Sequence, residues 1–326
     1  MKIPTAKQLP SGRWRVNVQI RGVRHSITKD TKKAAEKAAA LLKMSPEQRA
    51  VKMTYREAID FYINKYRKEL KPSTIKGYRD MQRQRFQDVI DKPISSGVDW
   101  QDVINREEVS PKTLKNAYGL ISKVCRDLGV EPQKVRYPVQ VKAERPFLDV
   151  EQIKIFCKAI EGDKYEIPYL LCLHSLRRSE MLAVKKSQIQ DGVIHVQGAI
   201  TLGEEGMVYT KTNKTAASVR NTPIFIPRLA TLITLAPEGF LCPYPVKGME
   251  QHLRTVLRKS GLPVGGFHIL RHSFASLCYF TSVDPLTVMK LGGWRDYKTV
   301  MQIYTHLADQ QKKADVTKLQ AALSDE

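Results

Sequence analysis

No stretch of this 326-residue chain runs to eighteen consecutive apolar residues, so a membrane-spanning helix is not expected. Cysteine is sparse. Cys125, Cys157, Cys172, Cys242 and Cys278 are odd in number, widely scattered and free of any CxxC pairing. That pattern argues against a disulfide framework or a zinc cluster and for a reducing cytosol. The opening MKIPTAKQLPSGRWR has no continuous apolar core, so a secretory signal is not expected either. Acidic residues are also short: 33 Asp+Glu face 54 Lys+Arg, a net charge of +21. A field of that sign gathers polyanions and speeds their encounter, which makes nucleic acid the first partner to consider and an anionic membrane surface the second. A generically basic protein is the bland alternative. The 42% hydrophobic content is ordinary for a globular chain, and the length suffices for two or three domains with separate cores.

The polarity changes in three steps along the chain. Up to Lys43, eleven Lys and Arg stand against Asp30 and Glu36 alone. Within that segment Trp14, Val16, Val18 and Ile20 alternate with Arg13, Arg15, Asn17, Gln19 and Arg21, the period of a strand with one buried and one basic, polar face. Gly22 marks a turn, Val23 to Thr28 reads as a returning strand, and Thr31 is placed to cap a helix through Lys43. Arg, Asn and Gln suit phosphates and base edges, although a solvated face explains the same pattern. After a linker near residues 45–51, Ala58, Ile59, Tyr62, Ile63 and Tyr66 recur at helical steps. Lys71-Pro72-Ser73 breaks that helix, and a second follows with Arg79, Arg83 and Arg85 on its surface. Ser110-Pro111 opens a third that Gly129 stops. The expectation is a multidomain α+β chain: a small sheet plus helix over 1–45, an all-helical domain over 53–135, and a mainly helical domain with a small antiparallel sheet over 145–310. GVIHVQGAI, GMVYTKT and VRNTPIFIP supply that last sheet. A separate helical tail over 311–326 carries Val316, Leu319 and Leu323 on one side.

The third region holds the reactive side chains. In LHSLRRSEML, Arg177 and Glu180 lie three apart and share a helix face, so the carboxylate orients a guanidinium for phosphate oxygens. A surface Arg–Glu pair would look the same. FHILRHSF sets His268, Arg271 and His272 on one face. Two histidines four apart suggest a metal, but the HExxH acid and a third ligand are missing, so no metal is expected. In KLGGWRDYKTVMQIYTHL, Gly292-Gly293 ends one helix and a new one starts near Lys298, carrying Tyr304 ten residues after Trp294.

Arg177 in LRRSE, Lys211 in YTKTNKT, His268-x-x-Arg271, Trp294 in LGGW and Tyr304 in IYTH occur in an order that resembles the tyrosine recombinases, specifically phage-type and mobile-element integrases. The likeness covers nearly the whole chain. It implies an arm-binding first module, a core-binding helical domain and a catalytic domain. Two positions depart from it: Ser175 stands where many members carry glycine, and Trp294 where many carry histidine. Tryptophan donates a hydrogen bond through its indole but transfers no proton.

The resemblance implies attack of the Tyr304 hydroxyl on a DNA phosphate, a phosphotyrosyl link and a freed 5′-hydroxyl, with no cofactor. Arg177 and Arg271 would neutralise the charge growing on the non-bridging oxygens. Lys211 is the candidate acid for the leaving oxygen, with Lys214 on the same hairpin as its rival; His268 would assist the tyrosine or the phosphate. Arg178, His272 and His306 read as structural neighbours. Implied partners are double-stranded DNA at core and arm sites, a homotetramer on DNA and DNA-bending accessory proteins, in the cytoplasm of a bacterial host. The tail would dock on a neighbouring protomer or pack back on its own domain. Two other functions stay open: a silent DNA-binding protein of the same fold, and a relaxing enzyme of the type IB topoisomerase kind.

Overall fold

The computed structural model describes residues 4–20, 23–43, 53–140, 146–211 and 219–323. The chain divides into two compact units, Met1–Lys142 and Ala143–Glu326.

The first unit begins with an antiparallel sheet in the order β1 (Lys7–Gln8), β2 (Trp14–Ile20), β3 (Val23–Lys29), followed by helix α1 (Lys32–Lys43). Val16 and Val18 are buried against Ala6, Ala35 and Ala39, while Arg13, Arg15, Asn17 and Gln19 are exposed. The register sets Arg15 opposite Thr28, Asn17 opposite Ser26 and Gln19 opposite Arg24, so one polar face spans both strands. Arg21 lies outside the described residues. Thr31 accepts from the Ala34 N–H at 3.2 Å and so starts α1.

Among the described residues, four α-helices complete this unit: α2 (Tyr55–Lys65), α3 (Pro72–Gln84), α4 (Trp100–Arg106) and α5 (Pro111–Asp127). Thr54 and Glu57 form a reciprocal capping box on α2, and Ser110 accepts from the Thr113 N–H ahead of Pro111. Trp100 centres their core, its ring edge-on to Tyr55 at 4.9 Å and to Phe86 at 5.2 Å, its indole N–H donating to the Tyr55 hydroxyl at 3.2 Å. The arginine surface expected on α3 does not form. Arg79 pairs with Asp60 and is half-buried, and Arg85, past the helix end, reaches Glu107 at 3.5 Å; Arg83 alone of the three is exposed. Acids on neighbouring segments turn two of these cations into internal struts.

The second unit packs α6 (Val150–Ala159), α7 (Glu166–Leu173), the single turn α8 (Arg178–Met181), α9 (Pro227–Leu235), α10 (Val246–Lys259) and α11 (His268–Phe280) around one core. α7 is buried along almost its whole length, which suits its continuous apolar sequence; the Glu166 carboxylate inside it is held by Arg228 at 2.8 Å. The single small sheet expected here is two. β4 (Ile189–Gln190), β5 (Val193–Val196) and β8 (Arg220–Pro223) form one, and β6 (Gly198–Gly203) with β7 (Gly206–Lys211) forms a separate hairpin. The chain changes partner at Gln197: Val196 pairs with Arg220, whereas Gly198 pairs with Lys211.

α12 (Pro285–Gly292) and α13 (Tyr297–Leu323) close the unit. α13 is one helix of 27 residues, so the expected separate tail helix is the continuation of the helix that carries Tyr304. Nothing between His306 and Leu323 breaks it: the run has neither Gly nor Pro and is rich in Ala, Gln, Lys and Leu. Val316 is exposed on it. No described helix is long and apolar enough to cross a membrane.

Candidate active site

α7 ends at Leu173, and the two residues after it determine where Arg177 goes. His174 is fully buried; its Nδ1 donates to the Leu170 carbonyl at 2.8 Å, which leaves Nε2 to accept from the Phe225 N–H at 3.1 Å. Burial without a counter-charge lowers its pKa to about 4. An unfolded histidine titrates near 6.5, so between those values the unfolded chain binds the extra proton. The neutral ring's contribution is therefore complete above about pH 6.5 and gone by about pH 4, a difference of roughly 3 kcal/mol. His174→Gln is expected to flatten the fall of the melting midpoint across that window; an unchanged slope in a pH series of melts would sink the assignment.

Ser175 follows with φ +71°, in the left-handed region, and its buried hydroxyl has no partner among the described residues. The glycine expected at this place has its physical reason there. Ser175→Gly removes strain and an orphaned hydroxyl at some cost in chain entropy. We expect a net gain of about 1 kcal/mol, seen as a melting midpoint higher by about 3 °C; a lower midpoint would refute the strain argument.

Arg177 caps the four-residue α8. Its backbone N–H donates to Glu180 Oε2 at 2.9 Å and its Nη1 to Glu180 Oε1 at 2.6 Å. Arg271 comes from the first turn of α11 and is buried; Nη1 donates to the Ser175 carbonyl and Nη2 to the Gly292 carbonyl at 2.7 Å. A third arginine, which the sequence motifs do not mark, enters from β8. Arg220 Nη2 donates to Glu180 Oε2 at 2.9 Å and to the Ser175 carbonyl at 3.3 Å, and Nε to the Leu291 carbonyl at 3.0 Å. Arg177 Nη2 takes the Gly293 carbonyl at 2.6 Å. Three successive carbonyls, of Leu291, Gly292 and Gly293, thus each accept from a different arginine. The signal for Arg220 lay in β8, whose alternation buries Arg220 and Thr222 and exposes Asn221 and Pro223. An arginine on the inward phase of a strand needs acceptors waiting inside.

The Gly-Gly-Trp segment is shaped for this turn. A side chain at Gly292 would collide with the Trp294 ring, which folds back over that position, and Gly293 adopts φ +61° with Arg220 beside it. The Trp294 ring stacks on Phe274 and lies 4.3 Å from the Arg271 guanidinium, a cation–π contact.

Electrostatically the site is a buried cation cluster. Three guanidinium groups face one carboxylate, which leaves two positive charges uncompensated. Burial, with Arg177 and Arg220 nearby, lowers the Arg271 pKa to about 9, still cationic at neutral pH. Burial alone would raise the Glu180 carboxyl, but the hydrogen bond and charge of Arg220, with Arg177 behind it, bring it below the ordinary value. Glu180 is accordingly a permanent carboxylate and an orienting partner rather than a base. Such a cluster is suited to the anionic oxygens of a phosphate group, with Arg177 the most open of the three at 37% side-chain exposure.

The structure thus joins Arg177, Arg271 and Trp294. The Tyr304 hydroxyl does not face them. Tyr304 is 8% exposed, packed with Phe274, Cys278, Val288 and Val300; it donates to the Val283 carbonyl at 3.1 Å and lies edge-on to Tyr279. Burial pushes its pKa well above the ordinary tyrosine value, so in this arrangement it is not an activated nucleophile. His268 is exposed at the first turn of α11, its ring 6.5 Å from His272. Lys211 ends β7 opposite Gly198, on the hairpin whose first strand packs against α8; its side chain and all of Lys214 lie outside the described residues.

Residues 242–311 match the phage integrase family. The tyrosine recombinase XerA of Saccharolobus solfataricus is 29% identical over 222 residues, covering 66% of this chain and 72% of its own length. The integrase of Escherichia phage P2 is 28% identical over 179 residues, 53% of this chain and 48% of its own. Among solved structures, the Tn1549 transposon integrase in complex with transposon right end DNA superposes with a TM-score of 0.63 at 19% identity, over 82% of this chain and 99% of that one. A lambda integrase tetramer bound to a Holliday junction gives 0.54 at 16% identity, over 90% and 96%. These likenesses establish a shared fold of helices and small antiparallel sheets.

Proposed function

Because the chain belongs to the phage integrase family of tyrosine recombinases, we infer that it is a site-specific DNA recombinase whose scissile phosphate sits on the Arg177–Arg271 cluster and whose nucleophile is Tyr304. The single observation that carries this reading is the net-positive arginine cluster held by Glu180 and the Leu291–Gly293 carbonyls.

The Tyr304 oxygen attacks phosphorus and gives up its proton, for which His268 is the candidate acceptor; the bond to the 5′-oxygen breaks, and that oxygen leaves as a hydroxyl after taking a proton, for which Lys211 is the candidate donor. The phosphotyrosyl bond preserves the energy of the phosphodiester, so a 5′-hydroxyl of a second strand reverses the step. Arg177 and Arg271 neutralise the two non-bridging oxygens, and the Trp294 indole N–H is available to one of them as a further donor. Before attack, Tyr304 exchanges the Val283 carbonyl for the phosphate, so DNA binding includes a movement of α13. The basic face Arg13, Arg15, Asn17 and Gln19, with Arg24 opposite Gln19, is the surface assigned to arm-type DNA, to which Arg21 is added on its place in the sequence pattern alone, and the helical α2–α5 region is the surface assigned to core-type DNA. A homotetramer, in which the end of α13 with Val316 docks on a neighbouring protomer, and DNA-bending accessory proteins belong to the same proposal.

The test can proceed without the target sequence in hand. Wild-type protein is mixed with a pooled library of nicked duplexes, treated with SDS, and the DNA that stays bonded to protein is sequenced. A recurrent captured sequence is expected. Two copies of it on one plasmid should then recombine, which general relaxation would not produce. No adduct on any duplex would overturn the enzymatic reading.

A further inference from the structure

Arg220 is buried to 8% exposure, and its Nη1 has no hydrogen-bond partner among the described residues. A buried guanidinium with an orphaned N–H is an unfavourable strut, since an apolar side chain would pack there at less cost. Its other two nitrogens show what the charge accomplishes. Nη2 takes Glu180 Oε2 while Arg177 takes Oε1, so one carboxylate is divided between two cations. Nε holds the Leu291 carbonyl, the first of the three that seat the arginines, and Nη2 also reaches the Ser175 carbonyl that accepts from Arg271. Without Arg220, Glu180 would belong to Arg177 alone and the site would lose one of its two uncompensated positive charges. The turn leading to Trp294 would also lose an anchor.

Resting on the function proposed above, we propose that Arg220 is a positioning residue for strand cleavage: by sharing Glu180 it keeps Arg177 free to act on the phosphate, and by holding Leu291 it fixes the turn that seats Arg177, Arg271 and Trp294. It does not touch DNA. Its removal should therefore lower the rate without lowering affinity, and the loss should depend on the charge of Glu180.

The experiment measures single-turnover adduct formation and DNA binding on the captured nicked duplex for wild type, Arg220→Met, Arg220→Lys, Glu180→Gln and the double variant Arg220→Met/Glu180→Gln, each with a melting curve. Arg220→Met is expected to cleave about 100-fold more slowly, a typical loss for disturbed charge stabilisation, with affinity within about twofold of wild type. The double variant should recover about tenfold of that loss, because removing the carboxylate charge frees Arg177 again. Arg220→Lys keeps the charge and should fall between wild type and Arg220→Met. If Arg220→Met does not fold, Arg220→Lys with and without Glu180→Gln carries the same comparison. Wild-type cleavage by the folded variants, or single losses that simply multiply in the double, would overturn the proposal. Wild type that forms no adduct would instead remove the function on which it rests, so the two failures are distinguishable.

Discussion

Tyr304→Phe is expected to abolish the SDS-resistant protein–DNA adduct, to below about one part in a thousand of wild type, and to leave DNA affinity within about twofold. The substitution leaves most of the packing intact. The ring of Tyr304 sits among Phe274, Cys278, Val288 and Val300, edge-on to Tyr279, and phenylalanine fills the same volume. Only the hydroxyl is lost, with its bond to the Val283 carbonyl, a change of about 1 kcal/mol in stability. Affinity rests on the many basic residues and is nearly indifferent to one neutral hydroxyl. The proposed chemistry, in contrast, has no substitute for it. The one other tyrosine on α13, Tyr297, is exposed at the helix start, two turns before Tyr304. Adduct in the Phe variant at more than a few per cent of wild type would mean that the nucleophile is elsewhere. The Val283 contact adds a second expectation within the same series. Loosening it favours the released ring, so the Phe variant should bind DNA no more weakly than wild type.

How much of this was legible before the fold depends on which interactions are local. The basic face of β2 was readable because alternation with Val16 and Val18 is a property of neighbours in sequence. The Arg177–Glu180 pair was readable for the same reason, three residues apart on one turn. Arg220 was not. Its acceptors are Glu180, 40 residues away, and Leu291, 71 residues away, and no period within β8 announces them. Arg79 was misplaced on a surface because its partner Asp60 belongs to another helix. The docking of Tyr304 was invisible likewise, since it depends on a carbonyl in the turn between α11 and α12. Ser175 is an intermediate case: the departure from glycine was visible, but its meaning came only with the positive φ. The continuity of α13 was in fact available, because the segment beyond Asp309 holds no helix breaker.

Arg271→Lys is expected to lower the rate of adduct formation by about 100- to 1,000-fold while DNA affinity changes less than about threefold. Lysine keeps the charge, so what the variant tests is geometry. The Arg271 guanidinium makes two divergent hydrogen bonds, to the carbonyls of Ser175 and Gly292, and lies 4.3 Å from the Trp294 ring. An ammonium offers a compact point charge that cannot hold both carbonyls in that fork and stack flat on the indole. Its shorter reach and stronger hydration draw it to one carbonyl, and the other is left buried without that donor. The turn Leu291–Gly293 then loses one of three anchors, while Arg177 and Arg220 still hold theirs, so the protein folds with a lower melting midpoint. Affinity is spared because Arg271 is 6% exposed and contributes little to the outer field that gathers DNA. Rate suffers because the charge that grows on the non-bridging oxygens needs donors fixed in place beforehand. Cleavage by Arg271→Lys within about tenfold of wild type would show that charge alone suffices at this position, and that the carbonyl fork and the Trp294 stack serve stability only.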